Sequence, residues 1–168
     1  MDKAPDHVME IFLQPGEFYF GDRDTRIRTI LGSCVAVVLW HPKLLIGGMC
    51  HYMLPGTRKQ RRPGELDGKY ADDAMLMFMQ ELAQSGTRPK DYEVKMFGGG
   101  NQFPGKDCAA SMSVPDRNVD TGHQLLTHHG FTLKAESQGG TGHRNVVFDV
   151  WRGDVWVKHV SKGGLGNY

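Results

Sequence analysis

One stretch near the start of the chain is apolar at every position and rich in β-branched residues. Residues 34–40 have the sequence CVAVVLW, and a short continuous run of this kind is typical of a buried strand. A second run, residues 45–54 (LIGGMCHYML), follows after a short turn at Pro42 and Lys43. We therefore predict a hairpin in which Cys34, at the start of one strand, lies near the end of the other.

The rest of the chain shows two helical patterns and several strand patterns. Apolar residues recur at helical spacing over residues 70–85 and 116–129, and a glycine follows each segment. Further strands are predicted at residues 11–20 (interrupted by a Pro-Gly pair), 92–97, 131–136, 145–151 and 155–160. About seven strands, several of them linked by hairpins, and two helices spread along the chain predict an α+β fold. Its sheets are expected to be mostly antiparallel or mixed and to be covered by helices.

Length and composition indicate one globular domain spanning residues 1–168. Hydrophobic residues make up 39% of the 168 and charged residues 23%. The net charge of +1 gives no strong electrostatic field for nucleic acid or an anionic membrane. The densest basic run, residues 58–62, is interpreted as a solvated loop.

Compartment is predicted from the cysteines and from the start of the chain. The three cysteines, Cys34, Cys50 and Cys108, form no CxxC pair and no disulfide framework, which favours reduced thiols. The first ten residues are charged and lack the apolar run of a signal peptide, and no stretch approaches 18 apolar residues. We expect a soluble cytoplasmic protein.

Cys34 is the first candidate for chemistry. It follows the small-residue bend Gly32-Ser33 and precedes the apolar strand, so its thiol can be exposed on a rigid backbone. The backbone N–H groups of the bend could stabilise an oxyanion. The alternative is a small buried hydrophobe, the usual role of a free cysteine.

His51 is the natural base for this thiol, because the thiolate is the nucleophile and an unperturbed cysteine has a pKa of about 8.5. The separation leaves room for a strand, a turn and a returning strand. The alternative is a histidine that is merely tolerated in a strand. Cys50, its neighbour, is expected to point to the opposite face.

Two other kinds of site are weakly supported. A zinc site built from Cys50, Cys108 and histidines lacks the usual ligand spacing. The segment GGGN at residues 98–101 has no following Gly-Lys-Ser/Thr, so a phosphate loop is disfavoured. A tight or flexible loop near a site is the better interpretation.

Four segments together resemble the CheD family of chemoreceptor glutamine deamidases. They are TILGSCVAVVLWHP (residues 29–42), GGMCHYMLP (47–55), KMFGGGNQF (95–103) and GGTGHRNVVFDVWRGDVWVK (139–158). The resemblance covers roughly residues 10–160. It implies a compact sheet sandwich with helices outside, similar to the catalytic domain of cytotoxic necrotizing factor toxins.

The resemblance also implies a Cys-His catalytic pair supported by an upstream threonine. Cys34 and His51 fall on the pair and Thr29 on the threonine, although Thr25 also lies upstream. Gly32 and Ser33, which form the bend before Cys34, are the residues predicted for the oxyanion loop. No metal or organic cofactor is implied. The implied partners are the cytoplasmic domains of chemoreceptors and a CheC-type phosphatase.

Three departures from the family pattern bear on recognition more than on chemistry: Gln102, Pro115 and His143. Two alternatives to deamidation stay open. One is a different cysteine hydrolase on the same fold, such as a protein methylesterase or a transglutaminase. The other is a regulatory module that binds a CheC-type partner, in which catalysis is secondary.

Overall fold

The computed structural model describes residues 3–56, 65–103 and 113–161. The basic run at residues 58–62 and Cys108 lie outside these ranges. Both helices of the described residues have 15 residues. No helix in this part of the chain has the length and apolar character needed to cross a bilayer.

The described residues form nine strands and two helices. The strands are β1 (Met9–Leu13), β2 (Phe18–Gly21), β3 (Thr25–Leu31), β4 (Val35–His41), β5 (Ile46–Cys50), β6 (Glu93–Gly98), β7 (Leu133–Gln138), β8 (His143–Asp149) and β9 (Asp154–Val160). The helices are α1 (Ala71–Ser85) and α2 (Val114–His128).

The strands make two mixed sheets. The four-stranded sheet has the order β1-β3-β8-β9 and the five-stranded sheet the order β2-β5-β4-β6-β7. The pairs β1·β3 and β6·β7 are parallel, and the remaining pairs are antiparallel. The prediction of mostly antiparallel or mixed sheets is confirmed.

Strand β4 lies at the centre of a three-layer arrangement. Val35, Val37 and Leu39 pack into a core shared with the two helices. Ala36 and Val38, which alternate with them, pack into a second core against the four-stranded sheet. Burial on both faces explains the continuous apolar run, because neither face needs a polar residue. The order is therefore sheet, sheet, helices, as expected of an α+β sandwich flanked by two helices.

Two features of the strands were not predicted. Strand β3 went unrecognised because two of its four inward positions are threonines, Thr25 and Thr29, so the apolar alternation is weak. The strand pattern at residues 11–20 is indeed interrupted at the Pro-Gly pair, but its halves, β1 and β2, belong to different sheets.

The two helices closely match their predicted ranges. Helix α1 ends at Gly86, which has the left-handed φ of 67° that favours glycine. Helix α2 begins two residues earlier than predicted, at Val114. Pro115 is compatible with this start, since a first-turn residue has no helical partner for its N–H.

The β8–β9 turn supplies a test of close packing. Gly153 has a φ of 76°, and a Cβ there would collide with the ring of Trp40. We expect Gly153→Ala to lower the free energy of unfolding by about 1–2 kcal/mol for the left-handed backbone plus about 1–3 kcal/mol for overpacking.

Gly86→Ala is the matched control for this substitution. Gly86 has a similar φ of 67°, but a Cβ there would meet nothing within 4 Å. Denaturant unfolding of the two variants should therefore separate the steric contribution from the backbone contribution. Equal losses of stability would contradict the packing described for Trp40.

Candidate active site

The β4–β5 hairpin brings Cys34 and His51 onto one face of the central sheet. Val35 and Tyr52 exchange backbone hydrogen bonds of 3.1 and 2.9 Å. This register places Met53 opposite Cys34 and makes His51 its diagonal neighbour, a separation of roughly 7–8 Å between backbones in such pairs. Cys50 and Tyr52 face the helices, so the alternation of the strand turns His51 toward the other sheet. Cys34 packs on that same side.

Thr29, on the facing sheet, is hydrogen-bonded to His51. Its Oγ1 lies 2.7 Å from Nδ1 of the imidazole and 2.9 Å from the carbonyl oxygen of Leu13. A carbonyl can only accept, so the single hydroxyl proton goes to Leu13 and the hydroxyl oxygen accepts from Nδ1–H. The bond thus selects the tautomer whose Nε2 carries a free lone pair. Thr29, rather than Thr25, makes this contact.

The His51 imidazole is neutral at physiological pH. The side chain is 1% exposed, and this burial lowers its pKa to about 4. The negative charge of Glu17 opposes the shift but is the smaller effect. His51 is therefore a proton acceptor that is almost entirely unprotonated near pH 7.

The Cys34 thiol is half-buried, and burial raises its pKa, while a hydrogen bond with the Ser33 side chain acts in the opposite direction. Among the hydrogen bonds of the described residues, none joins this thiol to the imidazole. The structure therefore places Thr29 and His51 in direct contact and brings Cys34 beside them. The pair is a thiol and an imidazole, not a thiolate and an imidazolium.

The glycine-rich loop packs against the backbone of residues 32–34. Gly99 donates its N–H to the carbonyl oxygen of Cys34 at 2.9 Å, and Gly100 donates to that of Gly32, also at 2.9 Å. A side chain on Gly98 would collide with the Cys34 carbonyl oxygen. The loop near a site that the sequence predicted is thus a support for residues 32–34.

The N–H of Cys34 points toward this loop and has no backbone acceptor within the described ranges. In a regular antiparallel pair, the carbonyl of Gly99 would accept it in return for the bond that Gly99 donates. The left-handed φ of Gly99, 66°, ends the strand pairing, and this return bond is not formed. A main-chain donor at Cys34 itself is left available.

Two buried polar side chains near the site were missed from the sequence. The Arg144 guanidinium, 3% exposed, donates to the carbonyl oxygens of Gly98 and Gly139 and to the hydroxyl of Ser137, and burial lowers its pKa. Asn118, fully buried, donates to main-chain carbonyls on both sides of the hairpin, of Ser33 just before β4 and of Met53 after β5. Arg144 falls in one of the segments that resemble the family, and Asn118 lies three residues after Pro115, but no local pattern indicated the role of either residue.

Cys50 does not belong to this site. Its side chain is fully buried in the core between the central sheet and the helices, and burial raises its pKa to about 12. Cys50 is also one of the two cysteines of the zinc alternative. Cys108, the other cysteine of that alternative, lies outside the described residues.

The shifted pKa of His51 predicts a pH-dependent stability. The unfolded chain protonates this residue near pH 6.5, whereas the folded chain does so only near pH 4. The contribution of His51 is fully present above about pH 6.5 and is lost as pH falls toward about 4, roughly 3 kcal/mol in all. The free energy of unfolding of wild type and His51→Gln is measured by urea denaturation across this pH range. The slope of this free energy against pH should be shallower in the variant. Identical slopes would contradict the burial of the imidazole.

Comparisons with known proteins identify a family for this chain. The family model described as CheD chemotactic sensory transduction matches residues 53–159. "Probable chemoreceptor glutamine deamidase CheD 3" of Dechloromonas aromatica (strain RCB) is 49% identical over 158 residues, 94% of this chain and 91% of its own length. "Probable chemoreceptor glutamine deamidase CheD" of Pseudomonas savastanoi pv. phaseolicola is 49% identical over 157 residues, 93% of this chain and 88% of its own.

A crystal structure of the Bacillus licheniformis hypothetical protein YfiH is a more distant likeness. Its TM-score is 0.45 at 12% identity, over 79% of this chain and 60% of that chain.

The match to the family model begins after Thr29, Cys34 and His51. The alignment with the Dechloromonas relative leaves only ten of the 168 residues outside and therefore spans all three positions. The family-model match and the identity and coverage of the two CheD relatives establish that the chain belongs to the CheD family.

Proposed function

We propose that this protein is a glutamine deamidase that acts on chemoreceptors, with Cys34 as nucleophile, His51 as base and Thr29 as the residue that orients the base. The names of the relatives support the substrate and the reaction. The observation that carries the chemical assignment is the Thr29–His51 hydrogen bond on the face of the sheet that also holds Cys34. It leaves Nε2 of the imidazole as the free acceptor.

The reaction begins with a proton transfer in an uncharged pair. Nε2 of His51 accepts the proton of the Cys34 thiol as the sulfur attacks the side-chain carboxamide carbon of a glutamine. The tetrahedral intermediate collapses when His51 returns the proton to the amide nitrogen, and ammonia leaves. Water then attacks the thioester, assisted by the same nitrogen, and releases glutamate and the thiol. The sum is amide plus water to carboxylic acid plus ammonia.

The main chain at the nucleophile is suited to stabilise the oxyanion. The N–H of Cys34 lacks a backbone acceptor in the described part of the chain, and the glycine loop holds the adjoining backbone in place. A donor that is already fixed needs no reorganisation when charge develops on the carboxamide oxygen. Gly32 and Ser33 contribute by shaping this bend.

The substrates we propose are the cytoplasmic domains of chemoreceptors. Conversion of a neutral amide to a carboxylate adds negative charge to the receptor, a change that can shift its signalling equilibrium. The reaction needs a reduced thiol, which supports the cytoplasm as its compartment. A CheC-type phosphatase as partner remains a prediction of the family resemblance.

The nucleophile is tested with purified candidate receptor domains. We expect wild type to release ammonia and convert glutamine to glutamate, detected by peptide mass spectrometry, and Cys34→Ala to do neither. Cys50→Ala is the matched control, because Cys50 lies in the other core, and it should keep activity once its fold is verified. Methanol or crosslinked product in place of ammonia would favour methylesterase or transglutaminase chemistry. Full activity of Cys34→Ala would overturn the assignment.

The role of Thr29 is tested by a nearly isosteric change. Thr29→Val leaves Nδ1 of His51 and the carbonyl oxygen of Leu13 without their partner, at a cost of about 1–3 kcal/mol in stability. We expect kcat to fall on the order of 10²-fold because the imidazole is no longer held in one tautomer and orientation. Thr29→Ser keeps the hydroxyl and should retain most of the activity. Equal kcat values for the two variants would remove Thr29 from this role.

A further inference from the structure

We propose that Asn118 is a positioning residue that sets the orientation of the Ser33–Cys34 peptide and so aims the Cys34 N–H at the developing oxyanion. The kinetic part of this inference rests on the proposed deamidase function. The geometric part rests on hydrogen bonds between helix α2 and the two strands that carry the nucleophile and the base.

The side-chain amide of Asn118 joins the two strands where their ladder ends. Its Nδ2 donates to the carbonyl oxygen of Ser33 at 3.2 Å and to that of Met53 at 2.9 Å. Both partners can only accept, so the assignment of the amide nitrogen follows from the contacts. The main-chain N–H groups of Met53 and Leu54 instead donate to the carbonyl of Lys69. In a continued ladder, the N–H of Leu54 would donate to the carbonyl of Ser33. The side-chain amide of Asn118 donates to that carbonyl in its place.

The bond to Ser33 determines where the next N–H points. A trans peptide is planar, with its carbonyl oxygen and its amide hydrogen on opposite sides. Because the carbonyl of Ser33 is held toward Asn118, the N–H of Cys34 is directed away from helix α2, toward the glycine loop. Gly99 bonds to the carbonyl of Cys34 and so holds the following peptide from that side. The amide at the nucleophile is thus fixed from both ends.

The burial of Asn118 lowers the stability of the fold in exchange for this contact. Asn118 is fully buried, yet its Oδ1 has no hydrogen-bond partner among the described residues. A buried acceptor without a partner is costly, so an apolar residue of similar volume would pack better if packing were the only requirement. The hydroxyl of Tyr52 donates to the main-chain carbonyl of Asn118, and Gly122 leaves the space that this hydroxyl occupies.

The discriminating variant is Asn118→Leu, which keeps the approximate volume and removes the amide. Asn118→Ala is the second variant if leucine prevents folding. Two rates are compared in the full-length protein. Deamidation of a receptor domain passes through an oxyanion, whereas alkylation of Cys34 by iodoacetamide depends on the thiol and its base but not on an oxyanion donor.

We expect kcat for deamidation to fall on the order of 10²-fold with little change in KM, while the pH profile of Cys34 alkylation stays unchanged. Leu126→Ala is the matched control, since it removes a buried side chain from the same helix eight residues further along. It should lose stability and keep kcat. A wild-type kcat in a folded Asn118 variant, or an alkylation rate that falls in parallel with kcat, would overturn the inference.

A structural readout separates this inference from the proposed function. In protein labelled with [¹⁵N]cysteine, the Cys34 amide signal, assigned by its loss in Cys34→Ser, should shift in Asn118→Leu while the Cys50 signal stays in place. An unmoved Cys34 signal would overturn the positioning role even if deamidation is observed. Wild type that releases no ammonia would overturn the proposed function, and the Cys34 signal would still decide whether Asn118 orients the peptide.

Discussion

The burial of strand β4 on both faces is the constraint on which the rest of the structure depends. One face packs against the helices and the other against the four-stranded sheet, so every side chain of this strand up to Leu39 lies in a core. Cys34 directly precedes this strand, at the edge of the layers that cover it. The low solvent exposure of the site therefore follows from the packing of these layers, and it includes His51 on the neighbouring chain segment.

Desolvation favours the neutral form of both members of the candidate pair. It raises the pKa of the Cys34 thiol and lowers that of the His51 imidazole, so both groups rest in their neutral forms. Charges in such a site are costly unless they are paired, and the proposed transfer of the thiol proton to Nε2 would form both charges together. The resting site then differs from a preformed thiolate–imidazolium pair, because a neutral thiol lies on the same face as an imidazole that Thr29 already orients.

The residues that sequence reasoning identified are those with a local signature. The apolar runs predicted the hairpin, and the small-residue bend and the histidine predicted which of its residues form the candidate site. The resemblance to the family added Thr29, the fold's layered form and the substrate class. Which threonine contacts the imidazole depends on the register of two strands in different sheets, and only the structure resolves it.

The residues that sequence reasoning missed act across long separations. Asn118 bonds to a carbonyl 85 positions earlier in the chain, and Arg144 bonds to one 46 positions earlier. A side chain that recognises a main-chain carbonyl imposes no residue type on its partner, so neither contact leaves a paired pattern in the sequence. Strand β3 was overlooked for a related reason, because its inward threonines are polar and their partners are distant.

The segment at residues 13–17 connects β1 of one sheet to β2 of the other. The carbonyl of Leu13 receives the hydroxyl of Thr29, while Gly16 and Glu17 bond to the backbone of His51 on the opposite sheet. Connections between strands usually tolerate changes in length. Here one residue more or fewer would displace the contact of Leu13 on one sheet by about 3.3 Å, the rise of one strand residue, relative to the contacts of Gly16 and Glu17 on the other. Relatives that retain the Thr–His contact should therefore keep the length of this connection, even where its residues vary.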